Sequence, residues 1–506
     1  MIKPFRRGGI LSPLTSLLLP LLFLTACHRP SLPKDFVASQ VPAVIYPDYA
    51  DVTVPCNIAP LRFELLQGVD EAVTRFAVGS GQEVLCEGIK ACPSEDEWHA
   101  LTTAALGRSI DVEIYVRKGA KWVRLKPFRI HVSNDSIDPW LSYRLISPSY
   151  VAYEELTICQ RCLENFDERV IVDNMLCSTE SGGQCVNCHS YQDRNPRRWQ
   201  FHARQTHGGT LIAYDDTVRK HQIPGAVYPS WHPSLPLIAY SANKTMQTFH
   251  TSDPDKIEVL DSESRLMVYD LRSGQTSPID VPGDELPTFP CWSPDGRWLY
   301  YSSARFTYNP YHRDSVSQKI LVDTRTPEQE IAMRSRELKY NIYRVPFDPA
   351  TSQFGERETV YDAAALDLSA TLPRLSPDGR WLLFTVGSYG TFHIWHHDAD
   401  LFLLNLATGE AERMQTLNSP QAESFHCWSG NSRWVVFSSR RTDGVFTRPF
   451  IAHIDSKGKA TKPFELPAAN PDYHRQLLKS YNVPELMRGP VELTPQQIAR
   501  ILKDTK

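Results

Sequence analysis

The chain has no surplus of positive charge: 54 Lys and Arg stand against 58 Asp and Glu, a formal net charge of −4 over 506 residues. No Lys/Arg cluster is interleaved with aromatics, so the sequence gives no basis for a nucleic-acid surface. Beyond the first 26 residues no apolar run approaches the roughly 20 residues that a membrane-spanning helix needs. Gly-x-Ser-x-Gly, the elbow that presents a hydrolase serine, occurs nowhere, which removes the usual α/β-hydrolase arrangement. Gly is sparse, 25 against 38 Pro, while Tyr, Phe and Trp number 21, 21 and 11. That mixture suits short strands joined by tight turns and predicts an all-β protein. The length exceeds one ordinary domain and predicts two or three.

The N-terminus is different in kind. Lys3, Arg6 and Arg7 precede an apolar run through Leu17, Leu18, Leu19, Leu21, Leu22, Phe23 and Leu24, too short to span a bilayer. It ends in Leu24-Thr25-Ala26-Cys27, which resembles a bacterial lipobox. The resemblance implies removal of residues 1–26, lipidation of Cys27 and a tether over 27–40. Several acyl chains would hold the protein on a membrane, where one binds only marginally. His28 is not the Asp that resembles an inner-membrane retention signal, so the outer membrane facing the periplasm is expected. A plain secretory signal is the alternative, and it also exports the chain.

Export gives meaning to Cys185-Val186-Asn187-Cys188-His189, the C-x-x-C-H spacing that attaches a c-type haem. Cys185 and Cys188 would form the thioethers, and His189 would be the proximal iron ligand. A second axial ligand is sought nearby: His202 and His207 are the leading candidates, with His221, Met175 and Met246 behind them. Met would raise the reduction potential, and a second His would leave it lower. Arg197, Arg198 and Arg204 could pair with haem propionates. A disulfide or half a zinc site is the other use of the two cysteines, but no second C-x-x-C or H-x-x-x-H is placed to complete a zinc site. Apart from these and Cys27, eight of the 11 cysteines remain. Cys86 and Cys92 are close enough in sequence to staple a loop, and Cys159-Gln160-Arg161-Cys162 reads as a local disulfide or buried thiols.

The rest of the chain repeats. Pro290-Cys291-Trp292-Ser293-Pro294-Asp295-Gly296-Arg297-Trp298 recurs as Pro373-Arg374-Leu375-Ser376-Pro377-Asp378-Gly379-Arg380-Trp381. Copies without the Pro-Asp-Gly turn follow His426-Cys427-Trp428-Ser429 and Pro229-Ser230-Trp231-His232. Pro presets the turn, Gly accepts its last position, and the apolar run beyond is a buried strand. Each unit predicts two hairpins, one four-stranded blade that cannot bury both faces alone. The copies resemble TolB-like β-propellers, which implies six blades, four of them visible over residues 205–470. A long insertion is expected between Arg305 and Tyr340.

Upstream, alternating runs over 41–149 predict a β-sandwich-like domain. Residues 150–223 are then a short haem-binding segment, and 471–506 an irregular strap with a short helix begun by Thr494 and Pro495. Three function classes are open: a lipid-anchored mono-haem electron carrier that docks a redox partner, a TolB-like envelope scaffold whose haem is structural or a sensor, and an enzyme. As an enzyme it would be a peroxidase, although such proteins generally use two haems and the chain has one pentad.

Overall fold

The computed structural model describes residues 30–147, 155–179, 183–313, 315–322 and 324–504. Cys27 lies outside them. Apart from a few short helices the chain is β throughout, in two parts.

The first part has two sheets. One is seven-stranded and centred on Ser109–Lys118, which is flanked by Glu71–Val78 on one edge and by Lys121–Lys126 and Phe128–Val132 on the other. The other is three-stranded: Ile45–Tyr46, Phe63–Leu65 and Lys90–Ala91. Phe63 of the small sheet meets Phe76 of the large one at 5.9 Å, and Trp98 of helix Glu95–Ala104 closes edge-on against Phe76 at 6.1 Å. The helix starts at a capping box between Ser94 and Glu97, which satisfies two of its free N–H groups.

The second part is a ring of six sheets, each with one edge strand nearest the axis. The inner strands are Ser480–Met487, Val186–Tyr191, Ala226–Trp231, Glu285–Trp292, Ser369–Leu375 and Glu423–Trp428, and each touches the next until the last returns to the first. The fold is a β-propeller. Its first blade combines Trp140–Ile146, Leu156–Cys162 and Glu168–Asp173 with the C-terminal strand, paired antiparallel from Trp140↔Met487 to Ile146↔Ser480. The ring is therefore closed by the two ends of its own sequence. Tyr143 and Tyr481, both buried, meet across this seam with ring centroids 4.7 Å apart and planes tilted by 50°.

This changes the boundaries read from the sequence. Ring strands run from Trp140 to Met487, not 205 to 470. Residues 150–223 are not a separate haem-binding segment: their described part supplies outer strands of the first blade and all of the second, Val186–Tyr191 to Thr217–His221. The strap contributes the inner strand Ser480–Met487. The physical reason is closure, because an open stack of blades leaves two unpaired edges and apolar faces, and a terminal strand is needed to complete the first sheet. Helix Pro495–Lys503, capped by Thr494, packs Ile498, Ala499 and Leu502 against the first two blades.

The turns explain why two blades are plain in the sequence. Ser293 Oγ bonds the Asp295 carboxylate at 2.5 Å and accepts from Trp298 N at 2.9 Å, while Gly296 takes φ +69°. Ser376, Asp378, Trp381 and Gly379 repeat this arrangement, with φ +71° at the glycine. Between Arg305 and Asn341 the fourth blade carries an insertion with helix Pro327–Met333 and a small hairpin.

Candidate functional site

One residue of every inner strand stands in the left-handed region: Cys188, Tyr228, Phe289, Leu372, Phe425 and Val483, with φ between 41° and 57°. None is glycine, and each such residue costs about 1–2 kcal/mol. At each of these points the pairing slips by a residue, so the extra side chain is turned out of the sheet toward the axis. The six side chains form a collar in the wall of a central cavity that encloses about 1360 Å³, open solvent at its mouth included.

The second half of the C-x-x-C-H pentad is one segment of that collar. Cys188-His189-Ser190-Tyr191 occupies the place of Tyr228-Pro229-Ser230-Trp231 and Phe289-Pro290-Cys291-Trp292 in the next two blades. Sequence reading missed this because the second blade has no Ser-Pro-Asp-Gly. Gln192, Asp193 and Arg194 make its turn, with φ 46° and 60° at the last two, and Gln192 bonds the carbonyls of His232 and Leu235 in the neighbouring blade. The recurring aromatic three residues after the collar, Tyr191 beside Trp231, Trp292 and Trp428, was the available signal.

His189 lines the cavity and is 3% exposed. Neither ring nitrogen has a hydrogen-bond partner of good geometry among the described residues. Burial, followed by the charge of Arg144, pushes its pKa down to about 3, against a weak opposing pull from the nearby Val483 and Ser142 backbones. The ring is therefore neutral, with a lone pair available to an acceptor such as a metal. Cys188 lines the same cavity. The Cys185 thiol is buried and outside the lining, and its pKa is raised first by burial and, among smaller causes, by Cys188 nearby. No described cysteine is in a disulfide, Cys86, Cys92, Cys159 and Cys162 included.

The second-ligand candidates fall elsewhere. His202, on the next strand outward, is buried with Nδ1 2.9 Å from Thr210 Oγ1, and His207 sits on a surface turn with Nε2 3.3 Å from Thr179 Oγ1. Neither lines the cavity, nor do His221, Met175 or Met246. Among the described residues, His189 is the cavity's one histidine, and no methionine joins it. A strand's alternation explains the miss, since nearness in sequence does not put two residues of neighbouring strands on the axis.

The arginines also redistribute. Arg197 and Arg198 pair with Asp216 and Asp215 on the outer part of the blade. Arg204 does line the cavity, together with Arg144, Arg374 and Arg440, and no Asp or Glu faces it among the described residues. Arg144 bonds the Asn187 side chain, and Arg374 pairs with Glu485 at 3.2 Å. The remaining wall is apolar and aromatic, including Tyr228, Phe289, Phe392, Trp395 and Phe425.

The mouth is framed by the long hairpin of the third blade, Leu237–Phe249 with Ile257–Asp270, and by the turn His393–Trp395 of the fifth. They are fastened together by His396 Nε2, 2.9 Å from Glu258 Oε1 with both side chains fully buried, and by His397 Nδ1, 2.9 Å from Asp255 Oδ1. Burial opposes charge on His396, but the Glu258 bond and charge outweigh it and raise its pKa.

His189, a neutral imidazole without a hydrogen bond of good geometry, and Cys188 would suit a haem, with apolar walls for a porphyrin and arginines for its carboxylates. Cys185 is buried outside the lining, so of the two thiols the structure brings Cys188 to the cavity.

No protein-family model and no curated protein matches the chain. Among solved structures it is similar to a prolyl endopeptidase, with 11% identity, 64% of this chain and 42% of the other covered, and a TM-score of 0.33. It is also similar to the GH74 enzyme of Niastella koreensis, at 9% identity, 68% and 43% coverage and a TM-score of 0.32. For the periplasmic gluconolactonase PpgL of Pseudomonas aeruginosa the values are 11%, 65%, 96% and 0.30. The chain spans less than half the length of the first two. The propeller assignment rests on the strand pairing given above.

Proposed function

We propose that this protein is an exported, lipid-anchored c-type haem protein, a β-propeller that holds one covalent haem in its central cavity and passes single electrons to a docked envelope partner. The observation that carries the reading is His189, a buried imidazole with no hydrogen bond of good geometry at either nitrogen, in the wall beside Cys188. A haem bound there would supply an iron that changes between ferric and ferrous states.

The protein's own residues account for the rest. His189 is kept neutral by burial, so its lone pair is not lost to a proton near neutral pH. Cys188, turned to the axis by its left-handed backbone, presents a thiol to the cavity. Phe289, Leu372, Phe425 and Val483 give the collar an apolar surface suited to a porphyrin face. Four arginines in a lining that contributes no Asp or Glu among the described residues favour a ligand that carries negative charge.

A second reading, a haem that senses or is structural on an envelope scaffold, is favoured by one observation: the lining brings no second His or Met to His189. The visible spectrum of protein exported from a host that attaches haem c tests both. A low-spin haem cycling reversibly supports the carrier. A high-spin haem that binds carbon monoxide supports the sensor. A protein with no Soret band and no covalently retained haem overturns both.

A further inference from the structure

The order of the blades determines what stands across the cavity from the pentad. Cys188 belongs to the second blade, and in a ring of six the fifth blade is three places away in either direction. The wall there is Trp395, from the turn of the fifth blade, and Arg440 of the adjoining sixth, whose guanidinium carbon lies 4.1 Å over the Trp395 ring.

Arg440 differs from the other cavity arginines whose partners are described. Arg374 has Glu485 and Arg144 has Asn187. Arg440 has no carboxylate within ion-pair distance among the described residues, and its Nε has no hydrogen-bond partner. Burial pushes its pKa down to about 10, and Asp255 and Asp443 oppose this only from a distance. A half-buried guanidinium with no carboxylate in ion-pair contact is poorly compensated, and its contact with Trp395 returns only part of the cost. Such a cation, aimed into a cavity that has no acid of its own, is matched to an incoming anion.

Haem chemistry supplies an anion at the right edge. The vinyl groups that form thioethers and the two propionates lie on opposite sides of the porphyrin, so a ring tethered at the second blade turns its carboxylates toward the far wall. We propose that Arg440, held flat by Trp395, receives a haem propionate across the cavity from Cys188. This rests on the haem reading above and replaces Arg197 and Arg198, which are spent on Asp216 and Asp215.

The test uses the exported holoprotein and compares wild type with R440Q, R440K and R197Q by redox titration between about pH 5 and 8. R440Q is expected to lower the midpoint potential, because loss of a cation beside the haem favours the ferric state. Its potential should also fall more steeply with pH, as the released propionate titrates. R440K should restore most of the wild-type value, and R197Q should match wild type throughout. W395L keeps the charge but removes its platform, and it decides the matter if R440Q does not fold: a smaller downward shift is expected. A Soret band with wild-type potentials in R440Q, or in W395L where R440Q is not obtained, overturns the proposal and leaves the haem reading standing. A wild-type protein without a Soret band removes the haem reading and this proposal with it.

Discussion

His189 and His426 occupy the same place in two blades, one residue past the collar; His426 Nε2 donates to the Leu383 carbonyl at 3.0 Å, whereas the Ser142 and Val483 backbones beside His189 offer its ring no bond of good geometry. Both are almost wholly buried, and burial pushes both pKa values down to about 3. The repeat therefore contains its own control: an imidazole at this position can be part of the packing, as His426 is. His189 lies in the same kind of place with weaker backbone contacts, which leaves its ring nitrogens less committed.

The two histidines should separate on substitution. H426Q is expected to keep the Soret absorbance and to lose about 1–3 kcal/mol of stability, the cost of leaving a buried carbonyl without its donor. H189Q should lose the Soret absorbance while far-ultraviolet circular dichroism still reports the sheet. Equal spectra for the two variants would mean that the position, and not His189, is what matters.

His202 bonds Thr210 and faces away from the axis. H202Q is expected to leave the spin state and midpoint potential of the haem at wild-type values and to cost about 1 kcal/mol from the lost hydrogen bond. H207Q, at the surface, should change neither spectrum nor stability. A spectral change in H202Q would return it to the iron.

Closure of the ring is tested at Tyr481, buried against Tyr143. Tyr481→Ala removes a large side chain from the seam, and the loss is expected to be about 3–5 kcal/mol, the range for emptying a buried aromatic site. Urea titration followed by tryptophan fluorescence measures it. A loss below 1 kcal/mol would show that the C-terminal strand adds little to the first blade.

The clasp at the mouth has a definite pH sign. His396 is held above its ordinary pKa in the folded state, so the stability it contributes is complete below about pH 6.5. That contribution is lost as pH rises through the higher folded value. Wild type should therefore lose more thermal stability above pH 6.5 than His396→Gln, whose pair with Glu258 does not titrate. Parallel melting curves for the two proteins across that range would remove His396 from the account.

The all-β propeller was legible wherever a local rule coincided with the fold. Ser293-Pro294-Asp295-Gly296 and Ser376-Pro377-Asp378-Gly379 advertise two blades because Pro and Gly suit the turn by themselves. In the third blade the ring of His232 does the serine's work, accepting from Leu235 N at 2.9 Å, and no turn statistic anticipates that. The first blade was hidden for a different reason: its inner strand is separated from the other three by more than 300 residues, and only the partner strand Trp140–Ile146 gives Ser480–Met487 a reason to be extended. The pentad named His189 and Cys188, which the structure sets side by side in the cavity wall. Arg440 and Trp395 were beyond local reading, because only the ring brings the fifth and sixth blades across from the second.

A ring sealed by its own last strand also imposes an order of events. On the proposed reading, a chain exported from its N-terminus would deliver Cys185 to His189 long before Ser480 to Met487, so the pentad would spend its first moments outside the membrane on an open arc of blades. Enzymes that join a broad, rigid porphyrin to two thiols would meet an accessible strand then and a walled channel later. On that reading the time of attachment would be as much a part of the design as the place.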